Sequence, residues 1–438
     1  MQEAPPAPLT RLRMSMLRAA RSLWARIPES WRYRMWTIVG PRWQSAYARS
    51  MIARPAQYRP SNPEAPLVVA GLFSTANGIG EAARTTYRAL QAAGLNPIAV
   101  DLSEPFAPVD LTSEIPCQQM PDDQEGTLIL QLNGPETMSA MQHLGLERGR
   151  NWYTIGYWAW ELPTFPTGWE KAFRYLSELW TISTFTADAL RKHPDAPDIH
   201  VFGHAVAPPK GVRPARMKFG WKKDQLIFLT MADSMSSFER KNPIATIRAF
   251  RAAFGEDPSK RLIVKTRNLA RSETAMTNLT TAIHGAQNIE ILDTSLSEKD
   301  QWALLKSCDV LVSLHRSEGF GLGLAETMAL GKPVICTDWS GNMDFTNETS
   351  AALVRSSLIP CEDEYGVYGD TSAYWADPDH EDAVGHMRRL AEDTEARRKL
   401  AATGKAHIEK LASASRTGQR MSDRLDEVPN APDPAEEG

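Results

Sequence analysis

The chain has 438 residues, 42% hydrophobic and 23% charged, the balance of a soluble globular protein; roughly two domains of about 150–200 residues are expected. A net charge of −4 gives no general preference for nucleic acid, and no uninterrupted apolar run reaches the roughly 18 residues that a membrane-spanning helix needs. Cys117, Cys308, Cys336 and Cys361 lie far apart with no Cys-x-x-Cys, which argues against a disulfide framework or a zinc site. No secretory leader is legible, so the expected location is the cytosol or the cytosolic face of a membrane.

Residues 1–58 form a first segment. Between positions 10 and 56, Arg11, Arg13, Arg18, Arg21, Arg26, Arg32, Arg34, Arg42, Arg49 and Arg54 are opposed only by Glu29. Leu12, Met16, Leu17, Leu23 and Trp24 recur at helical spacing, and Trp31, Trp36 and Trp43 continue the apolar theme. Arginine with tryptophan on an amphipathic helix suits an anionic membrane surface. The same pattern equally suits a helical arm packed on its own protein or on a twin subunit.

After a Pro-rich linker, a strand is predicted over residues 66–73, a glycine-bearing loop over 74–80, a helix over 81–93 and a second strand over 96–101. Gly78-Ile79-Gly80-Glu81-Ala82-Ala83 fits a dinucleotide fingerprint, with Asp101 placed for a ribose. The four residues Ser74 to Asn77, however, make the turn longer than that fingerprint allows. The other reading is a loop lining a cleft. Residues 127–132 are a further strand, and residues 151–163 (Asn-Trp-Tyr-Thr-Ile-Gly-Tyr-Trp-Ala-Trp-Glu-Leu-Pro) start as one and end in aromatics and an acid. Tyr157, Trp160 and Glu161 thus fall at a strand C-terminus, the edge where open α/β sheets bind ligands. Core packing is the competing account of the aromatics. Strands at 179–183 and 199–205 close the first half near Pro209. His204 is read as structural.

The second half opens with a strand at 226–231, a polar loop at 232–243 carrying Arg240 and Lys241, and a helix at 244–254. Those cations stand where they could clamp a diphosphate. Strands follow at 261–266 and 289–292, then a helix at 296–307. Next comes Val310-Leu-Val-Ser-Leu-His-Arg-Ser-Glu-Gly-Phe-Gly-Leu-Gly-Leu-Ala-Glu326: a buried strand, a glycine-rich turn and a helix start. Such a turn offers backbone N–H groups to an anion, while Glu318 and Glu326 can accept hydrogen bonds only from hydroxyls or other donors. N–H groups beside carboxylates describe a pocket for a sugar nucleotide. Residues 365–375 read as a loop, 381–411 as helices, and 426–438 as a disordered acidic tail.

Glu318-x7-Glu326, within Ser-Glu-Gly-Phe-Gly-Leu-Gly-Leu-Ala-Glu-Thr-Met-Ala-Leu-Gly-Lys-Pro-Val334 and running on to Asn342, resembles the signature of retaining glycosyltransferases of family 4. The resemblance implies the GT-B fold: two Rossmann-like, doubly wound α/β domains facing across a cleft, here residues 59–209 and 210–425, with a last helix crossing back. It implies that Glu318 faces the donor sugar with Gly319, Phe320, Gly321 and Leu322, that Glu326 meets the ribose hydroxyls near Leu292, and that Lys241 binds phosphate. The family's Gly-Arg after the strand is replaced by Ala232-Asp233, which leaves Arg240 to take that role or the site one charge short. Gly80 resembles the family's N-terminal loop glycine. Tyr157, Trp160 and Glu161 resemble a branch linked to cell-surface polysaccharide assembly, with Trp160 standing where many members have a histidine. The implied reaction moves a sugar, with retention, from a nucleotide-diphosphate sugar to a glycan or lipid-linked acceptor. It needs neither cofactor nor metal, because cationic side chains can carry the leaving-group charge. A non-catalytic membrane-associated scaffold and an NAD-dependent oxidoreductase are the alternatives.

Overall fold

Runs of aliphatic and β-branched residues bounded by glycine, asparagine and serine alternate with helices throughout the chain, the pattern that builds parallel α/β sheets. The computed structural model describes residues 55–428 except 61, 63, 147–149, 235, 364–367 and 369–371, so the arginine-rich stretch up to residue 54 and the acidic tail lie outside the described residues. In chain order the first half contains β1 (Leu67–Gly71), α1 (Gly78–Ala92), β2 (Ile98–Asp101), α2 (Ser103–Phe106), β3 (Glu125–Gln131), α3 (Gly134–His143), β4 (Asn151–Trp158), β5 (Glu178–Thr181), α4 (Thr184–Leu190) and β6 (Ile199–Val201). The second half contains β7 (Leu226–Asp233), α5 (Phe238–Lys241), α6 (Pro243–Phe254), β8 (Lys260–Arg267), α7 (Glu273–Ile283), β9 (Ile289–Asp293), α8 (Glu298–Ser307), β10 (Val310–Ser313), α9 (Leu322–Ala329), β11 (Val334–Thr337) and β12 (Ala352–Val354). An antiparallel hairpin follows, β13 (Ser356–Pro360) and β14 (Tyr374–Pro378), then α10 (His380–Glu392), α11 (Thr394–Ala412) and α12 (Ala414–Glu427).

Each half is one six-stranded parallel sheet, ordered β2-β1-β3-β4-β5-β6 and β12-β11-β10-β7-β8-β9. The central strands are buried on both faces, as their unbroken apolar sequences require: Leu128, Ile129 and Leu130 in one sheet and Phe228, Leu229, Val310 and Val312 in the other are all 0% exposed. Strand order reverses between β1 and β3 in the first sheet and between β7 and β10 in the second. Ligands of open α/β sheets bind at such switch points, outside the carboxyl ends of the strands. Asn77, Ser183, Asn242, Ser272 and Ser297 cap the helices that follow, each side chain accepting a hydrogen bond from a backbone N–H of the first turn.

The halves are held together by the chain's return. The Val206 N–H donates to the Ala412 carbonyl at 2.7 Å, and α12 then lies on α1. Gly418 makes that approach possible: a Cβ there would stand 1.8 Å from the Ala89 carbonyl oxygen. Across the cleft, Arg88 pairs with Glu298 at 3.1 Å, the Thr184 N–H donates to Asp344 at 2.7 Å, and Arg267 donates to the Ala76 carbonyl.

Three features differ from the sequence reading. Residues 365–375 were expected as a loop, but Tyr374 and Trp375 open β14; the hairpin register depends on pairing with Ser356–Pro360, which no local pattern announces. Arg240 and Lys241 stand on the short helix α5 instead of a loop, because positive φ at Ser237 and Asn242 isolates one turn before α6. The strand expected at 199–205 stops at Val201.

The buried carboxylate of Glu178, 1% exposed, accepts hydrogen bonds from Arg424 of α12 at 2.6 Å, Tyr153 at 2.9 Å and the Trp180 indole at 2.6 Å. Arg424→Ala leaves that charge short of its counter-ion and is expected to cost about 3 kcal/mol in urea unfolding. Adding Glu178→Gln should recover part of the loss; an unchanged midpoint for the single variant would show that the pair does not hold α12.

Candidate functional site

The loops after β7 and β10 meet at the second switch point, and they bring together the residues that carry charge. Helix α5 supplies Arg240 and Lys241, and the turn after β10 supplies Glu318. Lys241 Nζ donates to Glu318 Oε1 at 2.5 Å, and Arg240 Nη1 donates to Glu318 Oε2 at 3.2 Å and to the Ser317 carbonyl at 2.9 Å. Arg240 is 3% exposed and Glu318 8%. Burial alone would push the Glu318 carboxyl up, but Lys241 and then Arg240 outweigh it and hold it at about 2. The stabilising charge interaction is therefore complete above the ordinary carboxyl range and lost only as pH falls through about 2.

Glu161 extends this cluster from the first half: its Oε1 lies 4.0 Å from Arg240 Nη2, and its backbone carbonyl accepts the Ser317 hydroxyl. Glycine permits the close approach. A Cβ at Gly319 would stand 2.8 Å from Ile182 Cδ1 and 3.3 Å from the Trp160 carbonyl oxygen. Gly321, at φ 93°, turns the chain into α9. Phe320 is buried against Phe345, with centroids 4.8 Å apart, and His204, at 5.0 Å. Burial lowers the His204 imidazole to about 4, so it is neutral near pH 7 and serves as packing under the turn.

Residues that drew no role from sequence support this turn. The Glu318 N–H donates to Ser340 Oγ at 2.8 Å, and the Gly341 N–H donates to the Glu318 carbonyl at 2.9 Å. Asn342, 0% exposed, donates to the Thr337 carbonyl at 2.9 Å and shares a hydrogen bond with His315 Nε2 at 3.0 Å. Ser340 and Gly341 meet Glu318, and Asn342 meets His315, each across more than twenty residues of sequence. The Asp233 that replaces an expected arginine is itself neutralised: Arg267, its register neighbour on β8, donates to it at 2.7 Å.

The other sequence candidates fall in two groups. Glu326 faces a narrow recess between the halves, lined also by Glu81, Thr85, Arg88, Val206 and Trp302. Burial, then the neighbouring carboxylates of Glu81 and Glu298, push its carboxyl well above the usual range. Leu292 and Leu322 are half-buried and pack against the hydrophobic core. Tyr157, by contrast, is 3% exposed, and its hydroxyl donates to the Phe202 carbonyl inside the core. Trp160 is 8% exposed, edge-on to Trp169 at 5.1 Å, with its indole N–H donating to the Thr164 carbonyl at 2.7 Å. Packing, not an open aromatic face, is what these two rings do. Gly80 starts α1 tightly against its own loop, where a Cβ would stand 2.2 Å from the Thr75 carbonyl oxygen. Asp101, the acid a dinucleotide ribose would need, is engaged by the Ser103 N–H at 2.9 Å and hydroxyl at 2.6 Å.

Residues 218–407 match the family model described as glycosyl transferases group 1. Among proteins of curated function none matches the chain. The fold is similar to Anabaena HepE solved with UDP and glucose (13% identity, 83% of this chain, 100% of that chain, TM-score 0.58). It is also similar to sucrose-phosphate synthase from Thermosynechococcus elongatus (14% identity, 83% and 98% covered, TM-score 0.58) and a glycosyltransferase from Rickettsia africae (12% identity, 83% and 98% covered, TM-score 0.57). At these identities the likeness establishes the fold, which is GT-B. Among the described residues no helix is long and apolar enough to cross a membrane.

Because the folded chain keeps the Glu326 proton above the usual carboxyl value of 4.5, stability should fall as pH rises from there through the raised value. Glu326→Gln cannot ionise and should melt higher than the parent at pH 8, with the gap closing near pH 4.5. A gap that does not change with pH in parallel thermal melts would contradict the burial account.

Proposed function

We propose that the chain transfers a sugar, with retention, from a nucleotide-diphosphate sugar to a glycan or lipid-linked acceptor, a reading supported by the match of residues 218–407 to the group 1 glycosyl transferase model and by the GT-B fold. One observation carries this reading: Lys241, Arg240 and Glu318 converge where the two loops of the switch point meet. A diphosphate entering there shares the two cations with Glu318, and the negative charge that grows on it as the glycosidic bond breaks meets preorganised donors. Glu318, relieved of part of its pairing, can accept a hydrogen bond from a sugar hydroxyl. Glu326 is assigned to the ribose and Leu292 to the base, with Gly319, Phe320, Gly321 and Leu322 forming the wall of the donor site.

The acceptor hydroxyl attacks the anomeric carbon on the face that the diphosphate leaves, and a phosphate oxygen takes its proton. The sugar–phosphate bond breaks as the new glycosidic bond forms, so the configuration is kept and no side-chain base is needed. The leaving charge is assigned to Arg240 and Lys241, with no metal required. We assign the acceptor to the side of the cleft formed by the loop before Gly80. The arginine-rich segment would hold the enzyme on an anionic cytosolic membrane face, and the product would enter a surface polysaccharide or lipopolysaccharide.

Thermal-shift measurements against UDP-, GDP-, dTDP- and ADP-sugars, with NAD and NADP alongside, test the donor class. A ligand at about 100 times its dissociation constant adds roughly 2.7 kcal/mol. One nucleotide sugar should shift the melt, and stabilisation by NAD alone would overturn the reading. With that donor, Lys241→Ala and Glu318→Ala should each slow transfer by roughly 10²–10³-fold. Deleting residues 1–56 should abolish sedimentation with anionic vesicles while leaving nucleotide-sugar binding intact.

A further inference from the structure

Tyr368 reaches the site from an unexpected direction. The β13–β14 hairpin is docked on the loop that carries Glu318: the Ala376 N–H donates to the Arg316 carbonyl at 2.9 Å, and the Arg316 guanidinium lies 5.5 Å over the Trp375 ring. Tyr368, 7% exposed, stands edge-on to Trp160 at 5.5 Å. Its hydroxyl faces Glu161 Oε2 at 3.4 Å, while the other oxygen of that carboxylate faces Arg240 at 4.0 Å. Both contacts are long. The Glu161 side chain is 27% exposed, so the pair retains hydrogen-bonding capacity toward the cleft.

The chemistry of that capacity is specific. A phenol donates and accepts, and a carboxylate accepts only. Together they suit a hydroxyl group, which also does both. They do not suit a phosphate, which Glu161 would repel. The phenol is a neutral donor, because burial and then the Glu161 charge push its ionisation well above the usual range. Arg240 contacts both Glu161 and Glu318, so the pair stands beside the carboxylate assigned above to the donor sugar.

We propose that Tyr368, together with Glu161, is a specificity-determining residue that reads a hydroxyl of the transferred sugar. This rests on the nucleotide-sugar reading given above. The test compares dissociation constants by calorimetry for the nucleotide sugar selected in the panel and for the matching nucleoside diphosphate. Tyr368→Phe keeps the ring packed on Trp160 and removes only the hydroxyl. It should weaken the nucleotide sugar by roughly 3–10-fold, the range for one lost neutral hydrogen bond, and change the nucleoside diphosphate by less than about twofold. Glu161→Gln should show the same split. If Tyr368→Phe shifts both ligands alike, or neither, Tyr368 is a packing residue and the proposal is overturned. If the parent protein binds none of the nucleotide sugars, the donor reading itself fails, before any variant is compared, and this assignment falls with it.

Discussion

The contact on which the site depends is the carboxylate of Glu318 held between Lys241 and Arg240. Three ionised groups are withdrawn from water, and each would be costly there alone. Their mutual pairing offsets that cost, and it ties the loop after β7 to the loop after β10. With Glu161 on the far side of Arg240, the charges alternate in sign along the cluster, so a buried site rich in ions keeps little net charge. On the proposed reading, a diphosphate entering the site would meet cations already oriented, with acids beside them that can accept from hydroxyl groups.

The same constraint explains the glycines. A cluster that spans both halves of the molecule works only if their backbones nearly touch. Gly319 lies against Ile182 and the Trp160 carbonyl, a Cβ at Gly341 would stand 2.0 Å from the Gly319 carbonyl oxygen, and Gly418 lets α12 sit on α1. A side chain at Gly319 or Gly418 would wedge the halves apart, and one at Gly341 would displace the turn that carries Glu318. The aromatic residues around Trp158, Trp169, Phe173 and Trp375 form the rigid backing behind Trp160 and Tyr368. Buried apolar packing here fixes the position of polar groups that must not wander.

Charge exchange between neighbouring strands is a second lesson. Asp233 stands where a cation was expected, and its register partner Arg267 neutralises it while donating across the cleft to the Ala76 carbonyl. Glu326 shows a different case: burial in the recess between the halves, and then the nearby acids Glu81 and Glu298, make its carboxyl hold its proton more tightly.

What could be read along the chain was what is decided locally. β-branched runs, glycine turns and capping residues determine short buried strands and the helices after them, so the alternating α/β order was legible and Glu318 and Lys241 could be named as candidates. The fate of Tyr157 and Trp160 was not, because an aromatic at a strand end can face a ligand or the core, and only the neighbouring helices and the β13–β14 hairpin settle which. Tyr368 was invisible for a related reason: it meets Glu161 across 207 positions of sequence. A pattern within a few residues reports backbone conformation and amphipathicity. Which distant side chains share one buried, charged space depends on how two sheets close on each other, and that is fixed by packing over the whole chain.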